Sequence, residues 1–357
     1  MSEGTRTKRW GRSMAKPVRW IWPAMLALLL GMMLWALCTG RYGLPPLRAV
    51  AILLEPLMPH AWLADVAGVT DVQRRVVWQV RMPRILLSVL VGASLATCGA
   101  ALQGAFRNPL VGPQMLGISS GAALGGCVAI LLFTSLPLIL SCAFAGGLIA
   151  VAIVYFLSRS QGKTTMLMLV LAGVVTSAFF AALISLVTYF ADPSDTLPAI
   201  VFWLMGSFAT ASYFKLAAVV LPIVAGMAVL FALRFRINVL SLGDEQASAQ
   251  GIAVEPLRWA LLVCVTLVVS ASVAVSGTVG WVGLVVPHFA RMLVGADHRV
   301  LLPASALVGG AYMVLVDTVA RSATSAEIPL GVITALIGAP VFAWLLRRTH
   351  ARGWRND

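Results

Sequence analysis

Charged side chains are scarce in this chain, and few of them fall at spacings that could do chemistry. Asp317 precedes Arg321 by four residues, the acid-first order that favours an ion pair along one helix face, and it reads as a satisfied structural pair. Arg81 and Arg84 stand three apart in Arg81-Met-Pro-Arg84, within a stretch where arginines outnumber acidic residues. Nucleophiles and metal-ligand sets are missing. His60, His288, His298 and His350 are isolated, and no His-Glu-x-x-His pair offers a hydrolytic zinc site. Cys38, Cys98, Cys127, Cys142 and Cys264 are scattered singly, without the paired spacing of a zinc site or redox disulfide. Gly162-Lys163-Thr164 has the ending of a phosphate-binding loop, but Leu157 stands where the first glycine is required and no strand precedes it. No pair of mid-membrane carboxylates suggests an intramembrane hydrolase. No catalytic residue is therefore expected. Without chains of buried carboxylates or histidines, ion-coupled transport is not expected either, so uphill movement of a solute must draw on a partner.

The elements that must position these residues are dictated by composition. Of 357 residues, 60% are hydrophobic and 11% charged, against about a quarter charged in an ordinary soluble chain. At about 20 apolar residues per crossing there is room for roughly ten spans. Apolar runs broken by Pro, Gly or charge place them near residues 20–40, 83–106, 115–134, 137–157, 166–190, 213–233, 257–277, 281–294, 302–321 and 329–347. The first follows a basic head (Arg6, Lys8, Arg9, Arg12, Lys16, Arg19), is too long for a signal-peptide core and lacks a cleavage site, so it stays as a span. The chain thus divides into a basic cytoplasmic extension (1–19), a ten-span domain (20–347) and a cytoplasmic tail (348–357). The net charge of +13 gathers at span ends, which fits the positive-inside rule with both termini in the cytoplasm and not nucleic-acid binding. One stretch disobeys the rule. Residues 41–84 belong outside yet hold Arg41, Arg48, Arg74, Arg75, Arg81 and Arg84 against Glu55, Asp65 and Asp71.

Small residues recur every fourth position at Gly92, Ala96, Ala100 and Gly104, and at Gly117, Gly121 and Gly125, faces that let helix backbones approach closely in lipid. The eighth span reads as a broken helix at Pro287-His288, and with Asn108-Pro109 in the first half it supports a weak inverted repeat of five spans each. In the loop of residues 238–251, Gly243 breaks the chain, Asp244 and Glu245 favour a helix start and Gly251 a stop, so one or two short helices should lie along the cytoplasmic face.

Several motifs together resemble the FecCD/BtuC-type permeases, the membrane subunits of ABC importers for iron chelates, haem and cobalamin. They are Arg81-Met-Pro-Arg84, Asn108-Pro-Leu-Val-Gly-Pro113, Leu116-Gly-Ile-Ser-Ser-Gly-Ala122, Asn238-Val-Leu-Ser-Leu-Gly243, Val285-Val-Pro-His288, Asp317-Thr-Val-Ala-Arg321, Glu327-Ile-Pro-Leu-Gly-Val332 and Gly338-Ala-Pro340, in order over residues 20–347. The resemblance implies an all-α polytopic membrane protein of the type II importer fold, multi-pass in a bacterial inner membrane. It implies a homodimer, two ATP-binding cassette subunits that bind the ATP, a periplasmic substrate-binding protein, and no cofactor in the permease itself. By similarity, Arg81, Arg84 and Arg321 dock acidic residues of the binding protein, a role suited to the two-bond fork of arginine. Arg41, Arg48, Arg74 and Arg75 do not match that motif and read as solvated. Leu242, Gly243, Asp244, Glu245, Gln246 and Gly251 correspond to the element that couples to the ATPase. The fifth span corresponds to the pore-lining helix, and Asn108, Leu110, Thr164 and Thr165 to the inner gate, although Met166 and Leu167 stand where the family's gate has small polar residues. An iron chelate is the expected cargo and cobalamin the alternative; the wide pathway such a cargo needs implies no haem or metal ligand in this subunit, His288 and His298 included. A membrane enzyme acting on a lipid or quinone lacks any reactive constellation, and a passive channel would leak without ATP.

Overall fold

The computed structural model describes residues 18–40, 42–55, 68–133, 135–160, 163–164 and 166–353. Hydrocarbon offers no partner to a backbone N–H or C=O, so a chain this apolar closes its hydrogen bonds within helices. In chain order these are α1 (Val18–Cys38), α2 (Pro46–Leu54), α3 (Asp71–Ala105), α4 (Ile118–Leu132), α5 (Leu136–Ser158), α6 (Met166–Phe190), α7 (Thr196–Met205), α8 (Tyr213–Ala232), α9 (Arg234–Leu240), α10 (Asp244–Ala249), α11 (Val254–Ser276), α12 (Val282–Val294), α13 (His298–Ser322) and α14 (Leu330–Gly353). Two-residue strands, β1 (Arg159–Ser160) and β2 (Lys163–Thr164), pair antiparallel between α5 and α6.

Each of the ten expected spans falls on a helix. Helices α1, α3, α5, α6, α8, α11 and α13 are long and apolar enough to cross a membrane, while α4, α12 and the Leu330–Trp344 part of α14 are shorter apolar helices. The protein is therefore an all-α, multi-pass membrane protein. Burial separates centre from periphery: 78%, 72% and 61% of the most apolar window is buried in α3, α11 and α13, against 22–28% in α1, α5, α6 and α8.

Four details differ from the sequence reading. The second span starts at Asp71 and not near 83, because Arg74 pairs with Glu55 and Asp71 and Arg81 donates to carbonyls at and just beyond the end of α1. A reciprocal Thr70–Gln73 capping box opens it, with Thr70 Oγ1 accepting from Gln73 N at 3.3 Å, and a π-helical turn at Val76–Arg81 carries it into the span. Helices α2 and α7 stand where the reading placed only loops. Helix α12 runs unbroken through Pro287. Its proline deprives only the Gly283 carbonyl of an N–H, and the interruption falls earlier, at Gly277–Trp281, where Trp281 takes φ 68°. Helix α14 continues past 347 to Gly353. The basic extension up to residue 17, Arg41, Thr165 and Gly162 lie outside the described residues.

The four-residue small faces are where backbones meet. A Cβ on Gly92 of α3 would lie 2.2 Å from the Gly309 carbonyl oxygen of α13, and one on Gly121 of α4 would lie 2.5 Å from the Gly146 oxygen of α5. Gly99 of α3 faces the Gly283 backbone of α12 in the same way. With no hydrophobic drive between helices in lipid, such contact distances carry the association. Gly309→Ala should therefore lower stability in detergent by about 1–3 kcal/mol, the usual cost of overpacking. Gly31→Ala in α1, with no neighbour within 4 Å of its added Cβ, should not lower the thermal unfolding midpoint and should raise it slightly through helix propensity.

Candidate functional site

At one end of the bundle the three expected arginines converge. Arg84, in α3, meets Asp317 of α13 with Nε at 3.0 Å from both carboxylate oxygens and Nη2 at 2.8 Å from Oδ1. The same guanidinium donates from Nη1 and Nη2 to Glu327, at 2.9 Å each, in the turn between α13 and α14. Arg84 and Asp317 are buried, and the Glu327 side chain is 31% exposed. Asp317 thus has Arg84 as its main partner and not Arg321, whose Nε stays 3.9 Å away. Arg321 reaches instead to the end of α1, donating to Thr39 O at 2.7 Å and to Ala36 O. Arg81 donates to Leu37 O and Tyr42 O beside it. Two guanidiniums thereby cap the open carbonyls at the negative end of α1. Gly40, at φ 145°, makes this possible: a Cβ there would stand 2.8 Å from Arg321 Nη1 and 3.0 Å from Arg81 Nη2. All three arginines are engaged within the chain. Arg74 is also paired rather than solvated, with Glu55 at 2.7 Å and Asp71 at 2.8 Å, whereas Arg75 is exposed.

At the opposite end, α9 and α10 form the expected pair of short helices. Gly243, at φ 134°, turns the chain between them, and Gly251, at φ 78°, ends the second. Glu245 and Gln246 face outward, and Leu242 is 60% exposed. Asp244 does not face outward alone: it pairs with Arg258 of α11 at 3.1 Å and Arg107 at 3.4 Å, which ties α10 to the bundle. Asn108 sits in the turn after α3 with its Oδ1 accepting from Leu110 N at 2.9 Å, and Leu110 is 39% exposed. Thr164 lies at this same end in β2, its backbone opposite Arg159. Nearby, Gln103 of α3 accepts from Arg291 of α12 at 3.1 Å, and Asp297, ahead of α13, is held below the usual carboxylate range chiefly by the Arg299 guanidinium. Between the two ends α6 presents a long exposed face, including Leu171, Val174, Val175 and Phe179, on a helix without a charged residue. Among the described residues, no three His, Cys, Asp or Glu side chains gather as a metal-holding group.

Sequence reasoning missed Glu327 as the second carboxylate on Arg84, and Arg107 and Arg258 as partners of Asp244. Glu327 opened a quoted motif, yet only folding shows that it lies 243 positions along the chain from its partner.

Residues 28–348 match the FecCD transport family. The chain is 44% identical over 318 residues to the molybdate import system permease protein of Haemophilus influenzae, covering 89% of this chain and 92% of that protein. It is 38% identical over 340 residues to the hemin transport system permease protein of Yersinia pestis, covering 90% and 96%. An inward-facing ABC transporter structure assigned to the metal-chelate type is similar at a TM-score of 0.82 and 42% identity, over 92% of this chain and 99% of that one.

Asp317→Asn leaves the buried Arg84 guanidinium with Glu327 as its one remaining carboxylate, so it should lower stability in detergent by about 1–3 kcal/mol, as read by thermal unfolding, while Arg84→Met combined with Asp317→Leu should recover most of the loss.

Proposed function

The chain belongs to the FecCD transport family, and from that premise we propose that this ABC importer permease carries a ferric chelate, siderophore-bound iron or haem, from periplasm to cytoplasm. It works as a homodimer in a bacterial inner membrane with both termini in the cytoplasm. Two ATP-binding cassette subunits bind and hydrolyse the ATP, and a periplasmic binding protein delivers the cargo. The permease supplies no reactive group of its own. Its part is to hold two docking faces in register and to enclose a pathway.

The short-helix end is the cytoplasmic face, where Leu242, Glu245 and Gln246 meet the ATPase while Gly243, Asp244 and Gly251 shape and anchor the loop. The arginine end is the periplasmic face. There Arg81, Arg84 and Arg321 receive acidic residues of the binding protein. Since Arg84 is already forked between Asp317 and Glu327, an incoming carboxylate replaces Glu327, the more exposed of the two. Asn108, Leu110, Thr164 and Thr165 form the inner gate.

The observation that carries the cargo assignment is the uncharged, exposed face of α6. Such a lining suits a large cargo wrapped in its own organic ligand, because a bare oxyanion crossing it would be desolvated with no compensating donor. The 44% identity to a molybdate import permease favours an oxyanion importer as the second reading.

In proteoliposomes holding permease, ATPase and binding protein, ATP hydrolysis should rise when the loaded binding protein is added, and uptake of radiolabelled ferric chelate should exceed that of molybdate. Flux that survives nucleotide depletion would mark a channel instead, and preferential molybdate uptake would establish the second reading. Glu327→Gln should tighten binding-protein association at low salt by freeing one side of the Arg84 fork, with unchanged affinity counting against the docking assignment. Cysteines at Glu245 or Gln246 should crosslink to the ATPase.

A further inference from the structure

At the short-helix end, one side chain joins α9 to two of the most buried helices. Asn238 Oδ1 accepts from His298 N at 2.9 Å and lies 3.0 Å from His298 Nδ1, while its Nδ2 donates to Asp297 Oδ1 at 2.9 Å. Asp297 caps α13, accepting from Arg299 N at 2.9 Å, and is gripped by the Arg299 guanidinium. His298 is 4% exposed and fills the space that Gly104 leaves on the last turn of α3, where an added Cβ would stand 2.2 Å from Nε2. From there α3 and α13 run side by side, touch backbone to backbone at Gly92 and Gly309, and end at the Arg84–Asp317 pair. The Asp244 pairs with Arg258 and Arg107 add a second tie from the same short helices to α11 and to the turn after α3.

We propose that Asn238 is a positioning residue that locks α9 and α10 to the α3–α13 pair, so that displacement of the short helices by the ATPase reaches the arginine end as one rigid movement. The inference rests on the transport reading above and names the joint that reading leaves open. Covalent continuity alone would not serve. Helix α9 is joined through the chain only to α8 and α10, and its contact with α13 spans about sixty positions of sequence; beside the packing of Ile237 and Leu240 and an exposed Arg234 bond to Arg299 O at 3.5 Å, the three hydrogen bonds on the Asn238 amide are its directional tie.

The test uses the full complex of permease, ATPase and binding protein in proteoliposomes. Asn238→Asp removes the donor and sets a carboxylate against Asp297. With ATPase still bound, the ratio of binding-protein-stimulated to basal ATP hydrolysis should fall at least about fivefold, the lower range of coupling between distant sites, and chelate moved per ATP should fall with it. Asn238→Asp combined with Asp297→Asn exchanges donor and acceptor and should restore both readouts. Gly104→Ala leaves the Asn238 bonds to Asp297 and to His298 N possible but evicts the imidazole together with its Nδ1 contact, and should also lower the ratio. It decides the matter with the double variant if the single one does not accumulate in the membrane. An unaltered ratio in Asn238→Asp or Gly104→Ala, or a double variant no better than the single, overturns the inference while leaving the importer reading intact. A wild-type complex without any stimulation overturns both.

Discussion

A charge held beneath the surface of a lipid-embedded bundle must find its counter-charge inside the chain, and Arg84 meets that requirement twice over. Its fork takes Asp317 on one side and Glu327 on the other, drawing α3, α13 and the turn before α14 to one point. Around it, Arg81 and Arg321 spend their donors on the carbonyls that close α1. With water excluded, each of these groups would cost several kcal/mol if left open, so the cluster sets the register of the helices that contribute to it.

That register is carried across the membrane by the absence of side chains. Gly92 and Gly309 bring the α3 and α13 backbones into contact, and Gly104 admits the His298 imidazole at the far end. Interiors packed so closely do not deform smoothly, so helices joined in this way shift together or not at all. Helices α1, α5, α6 and α8, with 22–28% of their apolar windows buried, are the long apolar helices the chain covers least.

The physical chemistry at the two ends of the bundle is one of placement, with ion pairs and hydrogen bonds fixing helices against one another. Under the docking proposal the same arginine stabilises the fold and serves a partner, because Glu327, one of its two carboxylates, is partly exposed. Likewise Asp244 stiffens the short helices by turning inward to Arg258, which leaves Glu245 and Gln246 as the outward charges and amides.

The amino-acid sequence by itself determined that this chain is a membrane bundle, where its ten spans fall to within a few residues for most of them, and which motifs mark its family. Those features are local: apolar run length, small-residue period and turn chemistry are written in neighbouring positions. Its errors were also local. The start of α3 was placed too late because Arg74, Arg75 and Arg81 read as a barrier to the helix, and α12 was expected to break at a proline that the helix absorbs. Tertiary structure alone decided that Arg84 rather than Arg321 takes Asp317, that Arg81 and Arg321 turn to α1, and that Asn238 holds Asp297 and His298. Those choices join residues dozens to hundreds of positions apart. A side chain's nearest counter-charge in space is fixed by how helices pack, which no spacing along the chain records.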